Sequence, residues 1–190
     1  MMTQRPVDRL ILKLAIPTII SMTITAMYNL ADSYFIGHLS TQATAGVGIA
    51  FAYQSFIQAI GFFFGSGSGN YISRALGAKK EQNAEKMAST GFFSALLAGI
   101  AIGLAGLIFI KPLATLLGAT PDIESYAIDY LKYLLIAAPF MISQMVLNNQ
   151  LRLQGNASQA MIGLVSGAII NIILDPVFIY TLELGVSGAA

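Results

Sequence analysis

The chain has 190 residues, a formal net charge of +1, no cysteine, 10% charged and 56% hydrophobic residues, and a mean hydropathy of +0.72. A soluble domain carries about 25% charged residues, so this composition excludes an ordinary water-soluble globule. The lack of cysteine excludes a disulfide framework and a thiolate metal site, and the near-neutral balance argues against a nucleic-acid partner.

Apolar runs recur along the whole length, which predicts an all-α, polytopic transmembrane bundle whose first partner is the lipid bilayer. The first span is expected at about residues 10–36. Its apolar stretch, Leu10 to Phe35, far exceeds the roughly 7–15 residues of a signal-peptide core, so a cleaved leader is not expected. Along it Thr18, Ser21, Thr25, Asn29 and Asp32 recur every three or four residues and form one stripe, bordered by Tyr28. Facing lipid, such a stripe would leave polar groups unsatisfied at a few kcal/mol each, so it must face protein or a water-filled cavity. Thr18, Ser21 and Thr25 also read as packing glue, bonded to backbone carbonyls or neighbouring helices. Asp32 does not, because glue needs no carboxylate, and a charge in hydrocarbon marks an ion or substrate path.

The second span, about 43–76, is long enough to tilt or to extend beyond the bilayer. It carries Tyr53, Gln54 and Gln58, then Gly61, Gly65 and Gly69 at every fourth residue, with Ser73 and Gly77 continuing a groove for close helix contact. Its GSGSGN run lacks the lysine and the strand-to-helix setting of a phosphate loop. In the third span, about 82–110, Gly99 and Gly103 read as packing positions. The break KPLATLLGATPD follows, and ATPDIES resembles a helix start with Thr120 as cap, Pro121 first, and Asp122 and Glu124 in the first turn.

The fourth span, about 122–150, sets Tyr126, Tyr130 and Tyr133 on one face, readable as a cavity wall or as an interfacial aromatic belt. Gln144 and Asn148 continue polar positions inward. In the fifth, about 157–181, Asn171 and Asp175 are four apart on one face and Pro176 follows directly. That proline removes a donor and clashes with the Ile172 carbonyl, so a bend is expected beside the acid, with freed carbonyls suited to a proton or a cation such as sodium. His38 stands alone in an outer loop, no catalytic pair or metal cluster can be built, and an enzyme is not expected.

Eight basic residues, Arg5, Arg9, Lys13, Arg74, Lys79, Lys80, Lys86 and Arg152, fall on one side of the bundle, and Lys111 and Lys132 on the other. The positive-inside rule then makes the N-terminus cytoplasmic. Asp32 lies 23 residues beyond Arg9 and Asp175 lies 23 beyond Arg152, so both sit roughly 35 Å along their helices and a shared site is geometrically allowed. An odd number of spans ending in the small residues GVSGAA reads as the opening of a further helix, so the chain is expected to be a fragment.

The stretches IPTIISMTITAMYNLADSYFIGHLS, SRALGAKK, LRLQGNASQAM and NIILDPVFIYTLELGVSGAA, in this order and spacing, resemble the N-terminal lobe of multidrug and toxic compound extrusion (MATE) transporters, most of all their DinF-like prokaryotic branch. The resemblance implies five spans of a six-helix lobe, half of a pseudo-symmetric twelve-helix transporter of the cell membrane, with the sixth helix and C-terminal lobe missing. It implies antiport of drugs or other organic, often cationic, compounds against protons or sodium, with no cofactor beyond that ion. It further implies Asp32, Asn171 and Asp175 as the cation-coupling cluster, Tyr28, Asn29, Tyr130 and Asn148 as cavity residues, and Pro17 with Pro176 as helix-bending positions. Two other readings remain: a lipid-linked sugar or polysaccharide flippase of the same superfamily, which would want a basic cavity, and a non-transporting membrane subunit.

Overall fold

The computed structural model describes residues 7–37, 41–181 and 188; within them the side chains at 7–10, 13, 14, 32, 36, 43 and 180 lie outside the described set. His38 and Arg5 lie outside the described residues, as do the side chains of Arg9, Lys13 and Asp32. The elements are α1 (Val7–Gly37), α2 (Thr41–Gly77), α3 (Glu81–Ile108), α4 (Ile110–Leu116), α5 (Glu124–Leu153) and α6 (Ala157–Pro176), followed by a π-helical turn (Val177–Thr181). No strand occurs among the described residues. Four helices among those residues are long and apolar enough to cross a bilayer: Thr44–Gly77, Glu81–Ile108, Glu124–Leu153 and Ala157–Ile179. Their outward faces suit lipid, with Phe63 76% and Ile108 74% exposed.

Three boundaries differ from the sequence expectation, each for a local reason. The stretch expected as a break between the third and fourth spans contains the short helix α4. Pro112 cannot donate to the carbonyl of Ile108 and its ring clashes there, so α3 ends at Ile108 and the chain restarts through Phe109, whose φ is −107°. Gly118, at φ +104°, closes α4, with Ala119 N–H donating to the Ala114 carbonyl at 2.9 Å, a left-handed cap that glycine adopts without strain. Helix α5 begins at Glu124 rather than near Pro121, and Ile123, not Thr120, is its cap residue. Thr120 instead closes a turn by accepting the Ile123 N–H at 3.0 Å. At the far end, α6 stops at Pro176 and widens into the π turn, the adjustment that a missing proline donor permits.

The frame of the molecule is α2, α3 and α5. Ideal Cβ atoms built on Gly61, Gly65 and Gly69 of α2 would meet Met145, Asn149 and Leu153 of α5 at 2.8, 2.9 and 2.6 Å. The matching stride of four residues shows that α2 and α5 run parallel with their backbones in close approach. Helix α3 runs the other way, Gly99 resting on Pro139 and Gly103 on the carbonyl of Leu135. Leu135 is four residues before Pro139, so its carbonyl lacks the usual helical donor, and only a glycine lets α3 come close enough to cover it. Val47, Ala50 and Ile57 of α2, Ala95 of α3, and Leu131, Leu135, Ile142 and Val146 of α5 fill the core between them.

At one end Gln150 joins all three helices, its Nε2 donating to Ser68 Oγ at 3.0 Å and to the Ala88 carbonyl at 3.3 Å. Helix α1 packs chiefly against α6. This pair is tied to α5 by Asn148 Nδ2, which donates to the Ala160 carbonyl at 3.0 Å.

Candidate functional site

Between the α1/α6 pair and the α2/α5 wall lies a cavity of about 570 Å³. From α1 come Ser21, Thr25, Tyr28 and Asn29, three of them from the polar stripe read in the sequence. Ser21 also acts as glue, its hydroxyl donating to the Pro17 carbonyl at 2.8 Å, so both readings of that residue hold. Pro17 itself is buried within α1. Helix α2 contributes Gln54, Ile57, Gln58 and Phe62, α5 contributes Met141 through Arg152 on its inward face, and α6 contributes Gly163, Gly167 and Asn171.

Above this cavity, at the Asn171 end, the sequence spacing of four puts Asn171 and Asp175 on one face of α6. Asn171 Nδ2 donates to Asp175 Oδ1 at 3.1 Å. Asp175 is buried at 3% exposure, and two oxygens of the pair, Asn171 Oδ1 and Asp175 Oδ2, are buried without a hydrogen-bond partner among the described residues. Each orphaned acceptor costs about 1–3 kcal/mol, more where a carboxylate is charged. A proton on Asp175 removes the charge from the acid, and a small cation beside either oxygen would offset part of that cost. Oxygen donors fit a hard cation better than a soft transition metal. No group of three or more metal-ligating acids, histidines or cysteines occurs among the described residues.

The remaining sequence-derived residues fall in different places. Tyr28, Asn29 and Asn148 line the cavity, and Asn171 lies at its edge, joining it to the acid pair. Tyr130 does not line it: at 7% exposure it is packed in the core of the α2, α3 and α5 frame. Its neighbours Tyr126 and Tyr133 are exposed at 36% and 42%, so the three tyrosines do not form one cavity wall. The Asp32 side chain, expected to meet Asp175, lies outside the described residues.

Sequence reading missed Asn149 and Arg152 as cavity residues, along with the apolar patch of Met22, Phe62, Met141 and Met145. Arg152 was assigned only to the inner anchor, although Gln144, Asn148 and Arg152 share one helix face at a spacing of four. Nothing in sequence distinguishes a cavity methionine from a lipid-facing one.

Comparison with known proteins gives consistent results. The MatE family model matches residues 17–177. The multidrug export protein MepA of Staphylococcus haemolyticus (strain JCSC1435) is 35% identical over 177 residues, 93% of this chain and 39% of that protein. MepA of Staphylococcus aureus (strain MRSA252) is 31% identical over 186 residues, 97% of this chain and 41% of that protein. Among solved structures, MATE in complex with MaD3S superposes with a TM-score of 0.92 at 34% identity, covering 99% of this chain and 42% of that one. An outward-facing multidrug resistance MATE family transporter of the MOP superfamily gives a TM-score of 0.89 at 36% identity, over 95% of this chain and 40% of that one. The chain thus spans about two fifths of the length of the relatives it matches, the size of one lobe.

Proposed function

This chain belongs to the MatE family of membrane multidrug-efflux transporters, and from that membership we propose that it is the cation-coupled lobe of an antiporter that exports organic compounds. The observation that carries the reading is the acid–amide pair on α6, in which Asn171 Oδ1 and Asp175 Oδ2 have no partner among the described residues and Asn171 lines a polar cavity. A proton or a sodium ion taken up from outside fills that gap, with Asp32 of the facing helix α1 as the second acid. Binding draws α1 and α6 together, narrows the cavity between them and α5, and expels the cargo. A second lobe supplies the body against which this one rocks. The N-terminus lies in the cytoplasm of a cell whose surface membrane holds the protein, by the distribution of basic residues.

Dye accumulation in inside-out vesicles bearing the full-length protein, the counterpart of efflux from the cell, tests this, driven in turn by a proton and by a sodium gradient directed out of the lumen. Efflux is expected to follow one gradient, and to be lost in Asp175→Asn and in Asp32→Asn while both variants still insert into the membrane. Gradient-coupled efflux at the wild-type rate in Asp175→Asn removes the coupling assignment.

A further inference from the structure

The α5 wall of the cavity changes character along its length. Met141 lies at one end, Gln144 and Met145 share the next turn, Asn148 and Asn149 the one after, and Arg152 closes the other end one turn beyond Asn148. From Met141 to Arg152 the wall extends roughly 16 Å, at 1.5 Å per residue. Arg152 is half-buried, and it is the one formally charged residue among the described residues that line the cavity. Asp175 is not in that lining; it lies behind Asn171 at the opposite end. Among the described residues, then, the lining is apolar, hydroxyl- and amide-bearing, with one positive group, at the Arg152 end.

A half-buried guanidinium at the inner end of the cavity attracts an anion that enters there. Its planar fork fits carboxylate and phosphate oxygens in pairs. The thioether and aromatic surface of Met141, Met145 and Phe62 suits a flexible apolar body. We propose that the cavity takes an amphiphile by its anionic head group, a carboxylate or phosphate seated at Arg152, with its apolar body laid along α5 toward the acid pair. This assignment rests on the cavity being the cargo site, and it names the charge class of the cargo. It differs from the cationic cargo that the family resemblance suggested. A cation would have to approach Arg152 against repulsion, whereas a zwitterion with its anion at Arg152 places its positive group toward Asp175.

Equilibrium binding to the full-length protein in a neutral maltoside tests the assignment, with dansyl-labelled undecanoate and its methyl ester as probes. Wild type is expected to bind the carboxylate roughly ten-fold more tightly than the ester. Arg152→Gln should bring the two within about two-fold while leaving ester binding in place, and Lys80→Gln, exposed in the α2–α3 turn, should change neither. If Arg152→Gln does not fold, Asn148→Asp decides, because it sets a neutralising carboxylate one turn from Arg152 and should abolish the preference.

Displacement by dodecyl phosphate or by dodecanoate identifies the head group. Equal binding of both probes by wild type, a preference that survives Arg152→Gln or Asn148→Asp, or displacement by neither competitor overturns the assignment. Binding needs no ion gradient. Failed coupled efflux with an intact charge preference therefore rejects the antiport reading alone, and coupled efflux with no preference rejects this one alone.

Discussion

The two sides of the cavity use glycine in opposite ways. In α2 and α3 it is a seam: Gly61, Gly65, Gly69, Gly99 and Gly103 each stand where a Cβ would come within 3.0 Å of α5. In α6, Gly163 and Gly167 line the cavity, and an added Cβ would meet nothing within 4 Å. The first use removes side chains so that backbones can touch, which fixes a rigid frame. The second removes them so that space remains, which leaves the α1/α6 pair lightly held beside the frame.

The contrast is broken most sharply at the α3 seam. A Cβ on Gly99 would lie 2.6 Å from Pro139 Cα, and one on Gly103 would lie 2.6 Å from the Leu135 oxygen. Both obstacles are backbone and cannot swing aside. Gly103→Ala also pushes α3 off a carbonyl that Pro139 leaves without its helical donor. Each substitution is expected to cost about 1–3 kcal/mol, and the double variant more than either alone. Thermal unfolding followed by size exclusion in detergent should show a clear drop in midpoint; an unchanged midpoint would mean that α3 is not seated on α5 as described.

The buried polar tie of the same frame gives a smaller effect. Gln150→Leu removes the donations to Ser68 Oγ and the Ala88 carbonyl. Ser68 keeps its own bond to the Phe64 carbonyl at 2.7 Å, so no hydroxyl donor is orphaned. A loss of roughly 1 kcal/mol is expected. Asn148→Ala, which cuts the link from α5 to the Ala160 carbonyl of α6, should cost about 0.6 kcal/mol. Hydrogen exchange should then rise in α6 while α2 and α3 stay protected.

What could be read in the sequence follows the same division. Helix positions, the glycine row of α2, the packing role of Gly99 and Gly103, and the pairing of Asn171 with Asp175 were all legible, because each depends on spacing along a single helix. The α4 insertion was hidden because Pro112 reads as a breaker, whereas it lies in the first turn of a new helix, where its missing donor costs nothing. The core position of Tyr130 and the cavity position of Arg152 were not legible, for a shared reason. Whether a residue on α5 faces core, cavity or lipid depends on which helices flank it, and periodicity assigns a face without naming its neighbour. Tyr130 turns into the α2/α3 frame, and Arg152 turns into the cavity.

The smallest effect tests the open side. Gly167→Ala replaces a poor helix former with the best one, which favours the α6 helix by up to about 1 kcal/mol, and the new methyl meets open space. Stability should stay level or rise slightly, in opposition to Gly103→Ala, although both are the same chemical change on a membrane helix. The methyl does enter the cavity, so binding of a bulky dye should weaken while a small one is little affected. If Gly167→Ala instead lowers the unfolding midpoint as far as Gly103→Ala does, then α6 is packed against a neighbour as tightly as α3 is, and the division into a rigid frame and a lightly held pair does not stand.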